Sequence, residues 1–185
     1  LQRSGCHNIN FVTPTHFVPQ IARAVLIAAK DGLQVPLVYN CGGYERTETI
    51  RLLEGVFDIY MPDFKFWQPH RAEKYCNAPD YPEVCKAALK EMYRQVGDLE
   101  IKDGVAKRGL LVRCLVMPGM VDEVTEIFNF IADEISPNTF VNVMDQYRPM
   151  YRAGEFQEIS RRITGEEFRR ALEAAERAGL KRIYY

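Results

Sequence analysis

Met61, Asp63 and Lys65 follow one another at intervals of two residues. In an extended segment this spacing raises a thioether, a carboxylate and an ammonium in turn from one face, each about 6.6 Å beyond the last. Such a row either pairs internally, capping the mouth of the fold, or receives a ligand that carries charge. Arg113 lies within Leu-Leu-Val-Arg-Cys-Leu-Val-Met, a run otherwise suited to burial on both faces. A guanidinium there must meet an anion, either a carboxylate such as Asp63 or a ligand. Asn40-Cys41-Gly42-Gly43 offers amide donors and acceptors beside glycines that let a backbone approach a ligand, or simply make a turn. Thr13, Thr15 and His16 crowd the end of another apolar segment, in which Asn8 and Asn10 alternate toward one face. His16 serves equally as a helix cap or as a substrate contact, and Gln146 and Arg148 close a further apolar run. Together these residues describe a polar, partly cationic pocket for a small anionic or zwitterionic ligand. No Ser/His/Asp arrangement, Walker loop or zinc-ligand spacing accompanies them.

The elements that must position these residues are six short apolar runs, at 7–13, 35–40, 57–61, 110–117, 140–145 and, weakly, 183–185. Amphipathic helical patterns lie between them, as parallel strands require, because their crossover must be long enough to hold a helix. Parallel α/β sheets gather chemistry at the carboxyl ends of their strands. Here those ends hold Thr13 to His16, Asn40 to Gly43, Asp63 with Lys65, Pro118-Gly119, and Asp145 to Arg148. Pro19 at the start of Ile21, Val25, Ala28 and Ala29 predicts a helix closed by Asp31-Gly32. Asp80, with Pro82 in the first turn, opens one that buries Val84, Ala88, Leu89, Met92 and Val96. Thr47 begins a short helix, Val121 to Ile131 form another, and Thr164-Gly165-Glu166-Glu167 is a capping box for the last. Residues 99–107, centred on Asp103-Gly104, predict a hairpin. Residues 66–81 predict a long loop, either a lid in contact with substrate or an insertion packed outside the fold. Five strand-helix units and a terminal strand in 185 residues fall short of a closed eightfold barrel of roughly 250 residues. One α/β domain over 1–185 is expected, a smaller or incomplete barrel, with a doubly wound open sheet as the alternative.

The formal net charge of -1, from 24 basic and 25 acidic residues, argues against an electrostatic nucleic-acid binder. Five cysteines (Cys6, Cys41, Cys76, Cys85, Cys114) at irregular spacing fit free thiols in a reducing compartment. The most apolar stretch, 21–29, is too short for a membrane span and contains Arg23, and no signal peptide is evident. A cytoplasmic protein without membrane or nucleic-acid partners is expected. Leu1-Gln2-Arg3-Ser4-Gly5 reads as the last turn of a helix and its glycine cap, with further sequence expected upstream.

Five segments taken in order carry a resemblance: Asn-Ile-Asn-Phe-Val-Thr-Pro-Thr-His at 8–16, Val-Tyr-Asn-Cys-Gly-Gly-Tyr at 38–44, Asp-Ile-Tyr-Met-Pro-Asp-Phe-Lys at 58–65, Val-Arg-Cys-Leu-Val-Met-Pro-Gly at 112–119 and Asn-Val-Met-Asp-Gln-Tyr-Arg-Pro at 142–149. Read together, they resemble the radical SAM family, in the branch related to pyruvate formate-lyase activating enzymes. The resemblance implies a partial, TIM-like six-unit β/α barrel. It also implies S-adenosylmethionine lying across the strand ends on a 4Fe–4S cluster, whose reductive cleavage gives a 5′-deoxyadenosyl radical for hydrogen abstraction. The cofactor carries that chemistry, and the protein orients it and excludes water. A glycyl-radical enzyme or another protein is the implied target, and a flavodoxin or ferredoxin the implied electron donor.

Carried over by motif, Thr13, Thr15 and His16 fall where the family binds the methionine amino group, although Thr-Pro-Thr-His departs from its glycine-rich pattern. Asn40 and Cys41 fall where it holds the methionine moiety and ribose. Met61, Asp63 and Lys65 match a segment near the methionyl carboxylate, where activases can bind a monovalent cation. Arg113 matches a cofactor-contacting arginine, and Gln146 and Arg148 lie at the last active-site strand end. The Cys-x3-Cys-x2-Cys motif of the cluster is absent, so no cluster ligand is assigned to this chain. A first β/α unit is expected to be missing, leaving the chain inactive alone and the edge of strand 7–13 open to self-association. Competing readings are a cluster-independent lyase using Lys65 as a Schiff-base amine beside Asp63, and a non-catalytic binding module.

Overall fold

The computed structural model describes residues 1–185. The apolar runs form β1 (Ile9–Val12), β2 (Leu37–Cys41), β3 (Ile59–Pro62), β5 (Val105–Leu115), β6 (Phe140–Met144) and β7 (Arg182–Tyr184), with the short β4 (Glu100–Lys102) before β5. Between them lie α1 (Val18–Lys30), α2 (Thr47–Leu52), α3 (Pro69–Cys76), α4 (Tyr81–Val96), α5 (Val121–Phe130) and α6 (Gly165–Arg177). The strands form one seven-stranded sheet in the order β1-β2-β3-β5-β6-β7, with β4 paired to β5. β1 pairs parallel with β2, β2 with β3, β3 with β5, and β6 with β7, whereas β4 is antiparallel to β5. The expected α/β fold is the one the chain adopts. Contacts divide it into two compact units, residues 1–62 with 84–111, and residues 63–83 with 112–185.

In the first unit all five residues of β2 are buried, as befits a parallel strand covered on both faces. Register places Phe11, Tyr39 and Tyr60 side by side on one face. Phe57 packs edge-on against Phe11 and Tyr39, with ring centres 5.5 and 5.0 Å apart. The Tyr60 hydroxyl donates to Gln95 on α4 at 2.7 Å, so α4 covers this face. Gln95 in turn donates to the Ile50 carbonyl at the end of α2 and to the buried Glu91. The opposite face carries Asn10 and Val12, Val38 and Asn40, Ile59 and Met61. The expected hairpin is present, with Asp103 and Gly104 both at positive φ as a tight two-residue turn demands. Helix α1 forms where Pro19 and Asp31-Gly32 predict it, but of its residues only Val18 is buried in the core. Ile21, Val25 and Ala28 are half-buried, and Leu26 and Ile27 are more than half exposed.

In the second unit Val112, Cys114 and Val116 alternate with more open residues along β5 and just beyond it, as do Val141 and Val143 along β6. The expected loop at 66–81 is instead built around α3. Pro69 sits at its first turn and Asn77 ends it at φ 53, two signals of a helix that lacks an apolar stripe long enough to announce itself. The approach to α3 is held by Glu123 of α5, which is 1% exposed. Its carboxylate accepts from the Trp67 and Gln68 amides at 2.5 and 3.0 Å and from Arg71 at 2.9 Å. Helix α6 opens with the predicted capping box, and Glu167 also accepts from the Gly119 amide at 2.7 Å.

Gly109 has φ +121, and a Cβ there would lie 2.4 Å from the Asp98 carbonyl oxygen and the Leu99 Cα. Gly109→Ala is expected to lower the unfolding free energy by about 3 kcal/mol, read by urea denaturation. Gly154→Ala, with open space around its added methyl, should stay within about 0.5 kcal/mol of the parent.

Candidate functional site

β3 delivers its last residues toward β5 through a parallel bridge between Asp63 and Arg113, and the Phe64 amide donates to the Arg113 carbonyl at 2.9 Å. This places the two charged side chains on one face. Arg113 Nε donates to Asp63 Oδ1 at 2.7 Å, and Nη2 approaches the same oxygen at 2.6 Å. Lys65 Nζ pairs with Asp63 Oδ2. The side chains of Asp63, Arg113 and Lys65 are 18, 25 and 33% exposed, so this centre is both sheltered and open to a ligand. Of the alternatives the sequence leaves open, the internal pairing is realised.

Tyr81, at the start of α4, clips the same segment from behind. Its hydroxyl donates to the Asp63 carbonyl at 3.1 Å and accepts from the Lys65 amide at 3.0 Å. Burial and the nearby Asp63 carboxylate both push the Cys114 thiol up, so Cys114 is a packed thiol rather than a nucleophile.

The first unit brings together Thr13, Thr15, His16, Asn40, Cys41 and Met61. Thr13 donates its amide to the Asn40 carbonyl at 2.8 Å and takes a left-handed conformation, φ 51, that turns the chain out of β1. Asn40 is buried and stands in register between Val12 and Met61. The organiser is Glu45, a residue the sequence reading passes over. It is 2% exposed. Its carboxylate accepts from the Thr15 hydroxyl at 2.5 Å and the Tyr39 hydroxyl at 3.1 Å, and it hydrogen-bonds the Cys41 thiol. Burial raises its pKa, and the bonds to Thr15, Tyr39 and Cys41 and the neighbouring His16 oppose that rise only in part. One signal was available, a charged residue directly after Gly42-Gly43-Tyr44, where the chain must fold back over a strand end.

Gln146 and Arg148 are exposed in the segment after β6 and line a cavity of about 600 Å3 with Arg162 and the start of α6. Arg148 also reaches a second cavity, of about 710 Å3, that Lys65 lines. No group of three or more His, Cys, Asp or Glu side chains is placed to hold a metal ion.

No family model matches the chain. An uncharacterized protein of Methanocaldococcus jannaschii is 37% identical over 186 residues, which cover 99% of this chain and 50% of that protein. The chain therefore spans about half the length of this curated relative. Among solved structures, a domain of pyruvate-formate lyase-activating enzyme from Bacteroides vulgatus superposes with a TM-score of 0.67 at 12% identity. The match covers 96% of this chain and 98% of that one. At that identity the likeness establishes the fold.

The raised pKa of Glu45 sets a pH test. A carboxyl that holds its proton more tightly folded than unfolded adds stability in full below the unfolded value, about 4.3. That stability is lost as pH rises through the higher folded value. The unfolding free energy of the parent minus that of Glu45→Gln should therefore fall as pH climbs through this interval. Isothermal denaturation at a series of pH values measures it, and a flat difference would show that Glu45 titrates normally.

Proposed function

We propose that this chain supplies the S-adenosylmethionine-binding part of a radical SAM enzyme of the pyruvate formate-lyase activating type. One observation carries the reading: the five motif segments fall at successive strand ends of a sheet that superposes on a domain of such an enzyme. The donor set suits the cofactor. S-adenosylmethionine brings an ammonium, a carboxylate and an adenosine, which call for anions, cations and amide-like partners. Arg113 and Lys65 are positioned to hold a carboxylate, with Asp63 fixing both. In the first unit the buried Asn40, whose carbonyl accepts from the Thr13 amide, offers an amide side chain of the kind the cofactor calls for. When bound beside a reduced cluster, the cofactor supplies a carbon-centred radical for hydrogen abstraction.

The cluster itself does not fit the residues present. Cys41, Cys85 and Cys114 are buried on different elements, and Cys41 bonds Glu45. We therefore place the cluster ligands outside these 185 residues. A glycine of a partner enzyme is the proposed target, with a flavodoxin or ferredoxin as reductant. No helix is long and apolar enough to cross a membrane.

The test is anaerobic reconstitution of iron and sulfide into the longer protein that carries this chain, followed by assay of reductive S-adenosylmethionine cleavage. Formation of 5′-deoxyadenosine is expected. Arg113→Ala should lower it about a hundredfold or more, as loss of a charged contact to the cofactor requires. A reconstituted cluster with no cleavage, or borohydride trapping of a carbonyl compound on Lys65, would reject the reading in favour of a lyase.

β1 lies at one end of the sheet order, and its last residue Val12 and the nearby Phe17 are largely exposed. We propose self-association through this edge. Sedimentation velocity should show concentration-dependent dimers that Val12→Lys abolishes, whereas a parent monomeric at every concentration would exclude them.

A further inference from the structure

The cavity of about 710 Å3 beside Lys65 lies wholly in the second unit and has the size of a small-molecule site. Its floor is Leu115 and Met117, from the end of β5 and the turn beyond it. Rings form its walls: Phe66 stacks on Tyr75 of α3 at 5.9 Å, and Tyr75 meets Phe156 edge-on at 5.2 Å. Four cations line it, Lys65, Lys74, Arg148 and Arg152, against the single carboxylate of Glu73. Two of the four are engaged locally, Lys74 with Glu158 and over the Tyr75 and Phe156 rings, and Arg152 with Glu155. Lys65 shares its charge with Asp63. Arg148 has no such partner and is solvent-exposed. At the mouth, Tyr151 is 98% exposed and takes φ 52, a left-handed conformation that costs a bulky residue energy and recurs at ligand clamps.

We propose that this cavity is a ligand site that takes a small aromatic carboxylate or an equivalent aromatic anion. The ring would lie among Tyr75, Phe156 and Leu115, and the anion on Arg148. The assignment goes beyond the radical SAM reading and rests on the cavity and its lining alone.

The probe is anilinonaphthalene sulfonate, an aromatic body with one anionic group, titrated by fluorescence into this chain without cofactor. Saturable binding at one site is expected. Arg148→Gln should weaken it roughly tenfold, the loss of one charge-assisted contact, while leaving the uncharged phenylnaphthylamine unaffected. Phe156→Leu should weaken both probes. Thermal denaturation of each variant verifies that it is folded. Non-saturable fluorescence, titrations that neither substitution alters, or equal losses for both probes in Arg148→Gln would overturn the site. Intact probe binding in a protein that never cleaves S-adenosylmethionine would reject the radical SAM reading and support this site.

Discussion

A strand cannot carry a guanidinium into the middle of a sheet unless a counter-charge is built into the same surface. Asp63 is that counter-charge in the second unit. Its carboxylate receives Arg113 on one oxygen and Lys65 on the other, and its backbone bridges to Arg113. Tyr81 then occupies the main-chain groups on either side of Phe64. The same few residues therefore satisfy the sheet and set the position of the charges. A site made this way inherits the rigidity of the strands, which is what precise placement of a ligand needs.

Buried acids repeat this device at the turns. Glu123 takes the amides that lead into α3 together with Arg71. Glu45 takes Thr15, Tyr39 and Cys41 at the ends of β1 and β2. A buried carboxylate without such donors would be costly, and one fully supplied with them fixes whatever segments supply them. The turns that hold the proposed cofactor residues are thus tied down by side chains that never need to touch a ligand.

These facts explain which parts of the molecule were legible in the sequence. The strands were, because parallel strands bury both faces and leave uninterrupted apolar runs, and their ends shifted by only one to a few residues except in β5, which the hairpin lengthens backward to Val105. Helix α3 was not, because its buried contribution is little more than Ala72, while aromatic residues around it pack through their edges rather than through a stripe. The periodicity of α1 predicted a buried face that the fold leaves half open. The partnership of Asp63 with Arg113 could be posed from composition but not decided, since fifty residues separate them. Glu45 had only its place after Gly42-Gly43-Tyr44 to mark it, because no periodic rule singles out an acid that folds back beneath its own turn.

The arrangement at Asp63 also bears on which chemistry it can serve. A Schiff-base lysine must offer an unencumbered amine to a carbonyl, commonly in an apolar pocket or beside a second cation. Lys65 instead stands against a carboxylate that also binds Arg113. An ammonium has three donors, and Asp63 engages Lys65 through one oxygen, so further donors remain for an arriving anion without breaking the pair. Two cations around one carboxylate, with Asp63 holding both in place, suit the proposed seat for the carboxylate of a zwitterion. That is an electrostatic and positional role, the contribution a protein makes when the reactive atoms belong to a cofactor.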